Sequence, residues 1–165
     1  MIYSFIGQPH SGKTTLANHL KTALNSANPD RDVYILDGDL LRKVLDNKDY
    51  SEYGRRKNIS TSHAIARYLD STENFDVIIA MVSPYLDLRE KLKLEAENLI
   101  EIYVYTSDIR GRESYHVENF EKPESNFIYI DTSDTDELTS MNELLDKIDL
   151  YKSLKNGLFT EENPE

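Results

Sequence analysis

Apolar positions along the chain change period repeatedly, and each change marks a boundary between predicted elements. Ile2 to Ile6 is a short apolar run read as a strand, and Lys13 to Leu24 follows with helical spacing through Leu16, Leu20 and Leu24. A turn-rich break at Asn25 to Arg31 precedes a second strand, Val33 to Leu36, and a short helix, Leu40 to Leu45. Ser51 opens the next helix with Glu52 in its first turn, and Ile59, Ala66 and Leu69 continue it. Phe75 to Met81 is nearly all apolar, as a strand buried on both faces requires. Tyr85 to Glu97 reads as helix, Ile100 to Tyr105 and Phe127 to Ile130 as strands, and Glu137 to Leu150 as a closing amphipathic helix.

Strands separated by helices predict a three-layer α/β/α fold around a mainly parallel five-stranded sheet. Residues 107 to 126 are polar and aperiodic, and a short lid segment is expected at about 107–122. One domain over residues 1–153 and a frayed polar tail over 154–165 complete the expected organisation.

Composition narrows the class. Hydrophobic residues make up 39% and charged residues 30%, as in soluble globular proteins, and no apolar run approaches the length of a spanning helix. The N-terminal stretch lacks a signal peptide's basic leader and runs directly into a glycine-rich loop, so a cytoplasmic location without membrane attachment is expected. Zero cysteines exclude disulfides, thiolate nucleophiles and cysteine-ligated metals. A formal net charge of −11 disfavours extended nucleic-acid binding but leaves room for a small anionic substrate at a local arginine cluster.

Gly7 to Thr14 reads GQPHSGKT and falls between the first strand and the first helix. Its glycines let successive amides turn inward toward phosphate oxygens, and the following helix adds its positive end. The predicted ATP-binding segment is therefore Gly7, Gln8, Pro9, His10, Ser11, Gly12, Lys13, Thr14 and Thr15, with ATP as co-substrate. Lys13 reaches for the β and γ phosphates, Thr14 is the Mg²⁺ ligand with Asp37 as a candidate second, and His10 occupies a variable position with no chemical role expected.

The segment LDGDLLRK, Leu36 to Lys43, falls where the second strand ends, at the sheet edge where open α/β folds bind ligands. Asp37 and Asp39 are suited to orienting a magnesium water and to accepting the proton of an attacking hydroxyl; either could equally be a helix N-cap. Arg42 lies on nearly the same helical face as Asp39 and offers a cation to an anionic acceptor. Arg55 and Asn58 share one face of the following helix, as a common ligand requires, though Arg55, Arg56 and Lys57 also fit a solvated face. For His63 and His116 a structural or solvated role is expected.

Together these segments resemble the adenylylsulfate kinase family, whose members transfer the ATP γ-phosphate to the 3′-hydroxyl of adenosine 5′-phosphosulfate. LDGDLLRK is similar to that family's LDGD-x-x-R segment and YSEYGRRKNI, Tyr50 to Ile59, to its FSE-x-x-R-x-x-NI segment. MVSPYLDLRE, Met81 to Glu90, resembles its (F/A)-x-SP-(F/Y)-R-x-x-R stretch, and NFEKPESNFIYIDT, Asn119 to Thr132, its PYE-x-P-x-x-P-x-x-x-x-DT end. The resemblance implies catalytic roles for Lys13, Asp37 and Asp39. It implies substrate contacts from Arg42, Tyr50, Arg55, Asn58, Ser83 and Arg89, with Tyr50 packing on the adenine.

The chain departs from that pattern at Ser60 and Thr61, where the family has arginines, at Leu86, where it has the first arginine after the SP-aromatic triplet, and in a shorter lid. Arg110, Arg112 and Tyr115 are the residues available to replace the lid's cations and aromatic. Two alternatives therefore stand beside the family activity: transfer to a different hydroxyl acceptor, and a non-catalytic nucleotide-binding module. Oligomeric state stays open, a homodimer included.

Overall fold

The computed structural model of the 165-residue chain describes residues 1–72, 74–108 and 116–158. Its elements run β1 (Ile2–Ile6), α1 (Lys13–Ala27), β2 (Asp32–Asp37), α2 (Gly38–Val44), α3 (Glu52–Asp70), β3 (Phe75–Ala80), α4 (Leu86–Glu95), β4 (Leu99–Tyr105), β5 (Phe127–Asp131) and α5 (Glu137–Leu158). The five strands form one sheet in the order β2-β3-β1-β4-β5 with every pairing parallel.

The apolar strands are covered on both faces, which is why they read as continuous hydrophobic runs. On one face Leu16, Ala17 and Leu20 of α1 and Met141, Leu144 and Ile148 of α5 pack on Phe5, Ile78, Ile102 and Ile130. On the other, Ile59 and Ala66 of α3 and Leu92 of α4 pack on Ile2, Val77 and Ile79. Because β1 leads into α1 on one face and β3 leads into α4 on the other, the chain diverges at the carboxyl ends of these adjacent strands. That divergence opens a crevice there, the place where doubly wound sheets bind ligands.

Three helix C-termini depart from the sequence expectation by two residues or more. Helix α1 continues to Ala27, where the Asn28 amide closes the last turn on the Leu24 carbonyl. Helix α4 stops at Glu95 because Ala96 turns extended. Helix α5 runs to Leu158, so part of the expected polar tail is helical, its lysines and leucines being good helix formers. Among the described residues, no helix is long and apolar enough to cross a membrane.

Candidate active site

The glycine-rich loop is shaped by three residues in the left-handed region: Gly7 at φ 142°, His10 at φ 65° and Gly12 at φ 92°. Glycine is required at position 7 because a Cβ there would stand 2.1 Å from the Val104 carbonyl oxygen. The Gly7 amide donates to the Val82 carbonyl at 3.3 Å, joining the loop to the end of β3. Gly12 caps α1 without any side-chain hydrogen bond, and the helix has no acidic residue in its first turn. Helices α2 and α3, by contrast, begin with Asp37 and Ser51 caps and carry Asp39 and Glu52 in their first turns. The positive end of α1 is thus left for an external anion.

Lys13 is buried, with its ammonium donating to the Gln8 carbonyl at 2.6 Å and to Ser11 Oγ at 3.3 Å. Burial lowers its pKa to about 8, against the opposing pull of Asp39 and then Asp37. Thr14 Oγ1 donates to Asp37 Oδ2 at 3.5 Å. The other oxygen of the same carboxylate, Oδ1, accepts the Asp39 and Leu40 amides at 3.0 Å each. Asp37 therefore caps α2 with one oxygen and meets the loop hydroxyl of Thr14 with the other.

Four of the residues expected to meet the acceptor come together on the neighbouring wall. The Arg42 guanidinium lies 4.4 Å above the Tyr50 ring and donates to the Asp49 carbonyl at 2.8 Å. Arg55 Nε donates to the Tyr50 carbonyl at 2.9 Å, while the Tyr50 ring is 64% exposed. Asn58 Nδ2 reaches the Gly38 carbonyl at 3.3 Å, which sets α3 beneath the turn carrying Asp37 and Asp39. Its Oδ1 is buried without a hydrogen-bond partner among the described residues. Ser83 follows Val82 at φ 44° and keeps its hydroxyl buried.

Arg89, expected among the substrate contacts, is engaged inside the protein. Its side chain is buried against Glu101 of β4 at 3.0 Å and donates to the Ser83 carbonyl and the Glu121 carbonyl, each at 2.7 Å. A charge on a buried strand demands a buried counter-charge, and that demand holds Arg89 inside. His63, for which a structural or solvated role was open, is buried, and desolvation with the nearby Arg89 charge drops its pKa to about 4. The lid candidates Arg110, Arg112 and Tyr115 lie outside the described residues.

Two contributors, Thr132 and Glu121, belong to the segment Asn119 to Thr132, where the sequence assigned them no role of their own. Thr132, just past β5, donates its hydroxyl toward the Ser11 carbonyl at 3.0 Å and the Tyr105 carbonyl at 3.1 Å, bracing the phosphate loop from behind. Glu121 accepts the Leu86 amide and so caps α4, which has no cap of its own. A short hydroxyl residue directly after a strand, and an acid ahead of a proline, were the signals for them.

A parallel sheet of this order, with a glycine-rich loop between its central strand and a helix, defines a P-loop kinase fold. The chain belongs to the adenylylsulphate kinase family, whose model matches residues 1–114. It is 37% identical over 102 residues to an adenylyl-sulfate kinase of Burkholderia ambifaria, covering 59% of this chain and 54% of that protein. The chain spans about half the length of the curated relatives it matches. Among solved structures, APE1195 superposes with a TM-score of 0.78 at 26% identity, over 93% of this chain and 95% of that one. The Mycobacterium tuberculosis APS kinase CysC in complex with AMPPNP and APS superposes with a TM-score of 0.70 at 20% identity, over 90% and 96%.

Proposed function

We propose that this chain is an ATP-dependent phosphotransferase that moves the γ-phosphate of ATP to the 3′-hydroxyl of adenosine 5′-phosphosulfate. The observation that carries this reading is the meeting of Lys13, Thr14 and Asp37 at the mouth of the crevice, in a chain belonging to the adenylylsulphate kinase family. A family neighbour crystallised with an ATP analogue and APS supports the substrate pair. A cytoplasmic setting suits chemistry that consumes ATP.

Loop amides and the open end of α1 hold the donor phosphates, and the Lys13 ammonium offsets their charge. Thr14 Oγ1 and the outward oxygen of Asp37 are hard oxygen donors set side by side, which fits Mg²⁺ with its few protein ligands and several waters. Bound there, the ion would neutralise charge on the phosphate oxygens. Asp39 accepts the proton of the acceptor hydroxyl as the new oxygen–phosphorus bond forms and the bond to the β-phosphate oxygen breaks, releasing ADP. Arg42 and Arg55 meet the acceptor's anionic groups, Tyr50 its adenine, and Asn58 and Ser83 the crevice floor. Transfer is direct, with positioning and charge neutralisation supplying the acceleration.

A second reading keeps the transfer and changes the acceptor to another hydroxyl compound. It is favoured by the withdrawal of Arg89 into the interior and by Leu86 at a family arginine position. Coupled measurement of ADP release with a panel of hydroxyl acceptors separates the two. Turnover with adenosine 5′-phosphosulfate is expected; turnover only with a different acceptor would replace the first reading with the second. Undiminished transfer by Asp39→Asn would remove that residue as the base.

A further inference from the structure

Thr132 stands one residue past β5, where the end of the sheet fixes its backbone. Its amide donates to the Tyr105 carbonyl at 2.9 Å, continuing the β4–β5 pairing. On its flanks Asp131 Oδ1 accepts the Ser133 amide at 2.8 Å, and Ser133 Oγ accepts the Ser107 amide at 2.7 Å. The Thr132 hydroxyl lies 3.0 Å from the Ser11 carbonyl and 3.1 Å from that of Tyr105. A hydroxyl has one hydrogen to give, and the Tyr105 carbonyl already takes the Thr132 amide. The hydrogen therefore goes to the carbonyl of the buried Ser11. The next residue, Gly12, lies against the same side chain, since a Cβ there would stand 3.6 Å from the Thr132 methyl.

We propose that Thr132 is a positioning residue for phosphate binding, whose hydroxyl holds the Ser11–Gly12 peptide in the plane that aims the Gly12 amide at the donor phosphates. The inference rests on the reading that the loop binds nucleotide. A trans peptide keeps its carbonyl and the following amide antiparallel, so a carbonyl fixed on Thr132 turns the Gly12 amide away from β5. That amide belongs to the residue capping α1, whose positive end is open to an anion. Without the hydroxyl the Ser11 carbonyl loses this donor, and the peptide is free to turn. Any turn withdraws an amide from the phosphates and brings a carbonyl, itself an acceptor, toward them. The loss falls on phosphate and not on the base.

Calorimetric titration with the Mg²⁺ complex of AMPPNP and with tripolyphosphate, beside urea unfolding, tests the proposal. Thr132→Val keeps the shape and loses the hydroxyl, and should weaken both ligands about tenfold, the scale of one net hydrogen bond. Thr132→Ser keeps the hydroxyl and loses the methyl, and should bind both within about threefold of the unaltered protein. Thr132→Ala also lacks the hydroxyl and serves if the valine variant fails to fold. A lowered urea midpoint in Thr132→Val with unaltered affinity of the folded protein would reduce Thr132 to a role in folding and overturn the inference. Equal losses in the serine and valine variants, or a loss for AMPPNP with none for tripolyphosphate, overturn it as well. Each of these leaves the kinase reading standing. Failure of the unaltered protein to bind either ligand overturns the nucleotide reading of the loop, and the inference with it.

Discussion

Arg89 and Glu101 face each other at 3.0 Å with 2% of either side chain exposed, so the charge expected at the acceptor is committed to the protein's interior. Lys93 completes the arrangement, reaching the second Glu101 oxygen at 2.7 Å. Removing Arg89 leaves Glu101 with one partner and frees the Ser83 and Glu121 carbonyls that the guanidinium holds. Arg89→Ala should therefore destabilise the fold by about 3 kcal/mol, the scale of a broken buried ion pair. Urea unfolding beside steady-state kinetics measures it. A tenfold rise in acceptor KM at unchanged stability would return Arg89 to the acceptor site.

Asp37 allows its two roles to be separated by substitution. Asn keeps an oxygen for the Asp39 and Leu40 amides, so Asp37→Asn should alter stability by less than about 0.5 kcal/mol. It loses the negative charge beside Thr14, and turnover should fall by about 100-fold. Asp37→Ala loses both functions and should cost about 1 kcal/mol in addition. Thermal unfolding and the ADP-release assay, run on both variants, read the two effects independently. Equal turnover in Asp37→Asn and the unaltered protein would contradict the role given to Oδ2.

What the sequence could reveal follows the range of the interactions involved. Strand and helix alternation, the phosphate loop and the Asp37 cap are set within a few residues of one another, and each was legible. Arg42, Tyr50 and Arg55 likewise sit within a fourteen-residue stretch and converge as expected. The burial of Arg89 depends on a partner twelve positions away on β4, although an acid inside LIEIYVY already implied a buried cation. The Gln8 side chain donates to the Val117 carbonyl across 109 positions, a pairing that nothing local marks. For His63 both a structural and a solvated role stayed open in the sequence, because only packing of α3 against the sheet determines which face is covered.

Lys13 makes nucleotide binding sensitive to alkali. With its pKa lowered to about 8, the ammonium is mostly charged at pH 7 and is lost as pH rises through 8. In the free protein this buried charge opposes folding below pH 8, so its contribution to stability becomes more favourable between pH 8 and the ordinary lysine value of 10.5. Nucleotide affinity should move in the opposite direction, falling above pH 8. Asp39→Asn removes the larger of the two carboxylate pulls that hold the pKa up, and should shift that fall to lower pH. Titration of AMPPNP binding from pH 6.5 to 9.5 in both proteins gives the comparison, and coincident curves would show that Lys13 does not govern the alkaline limb.

His63 should govern part of the acid limb of stability. In the folded protein its pKa is lowered to about 4 by burial and the Arg89 charge, whereas the unfolded imidazole has the ordinary value of 6.5. Between these values the unfolded state binds the extra proton, so stability falls as pH drops from 6.5 toward 4. The shift corresponds to about 3 kcal/mol over that window. His63→Leu removes the titrating group from a buried position and should flatten the decline by that amount, leaving the carboxylate contribution at lower pH. Urea midpoints measured every half pH unit from 4 to 7.5 decide the matter: parallel curves for the two proteins would mean that His63 takes up its proton in the folded state as readily as in the unfolded one, and that its burial carries no acid sensitivity.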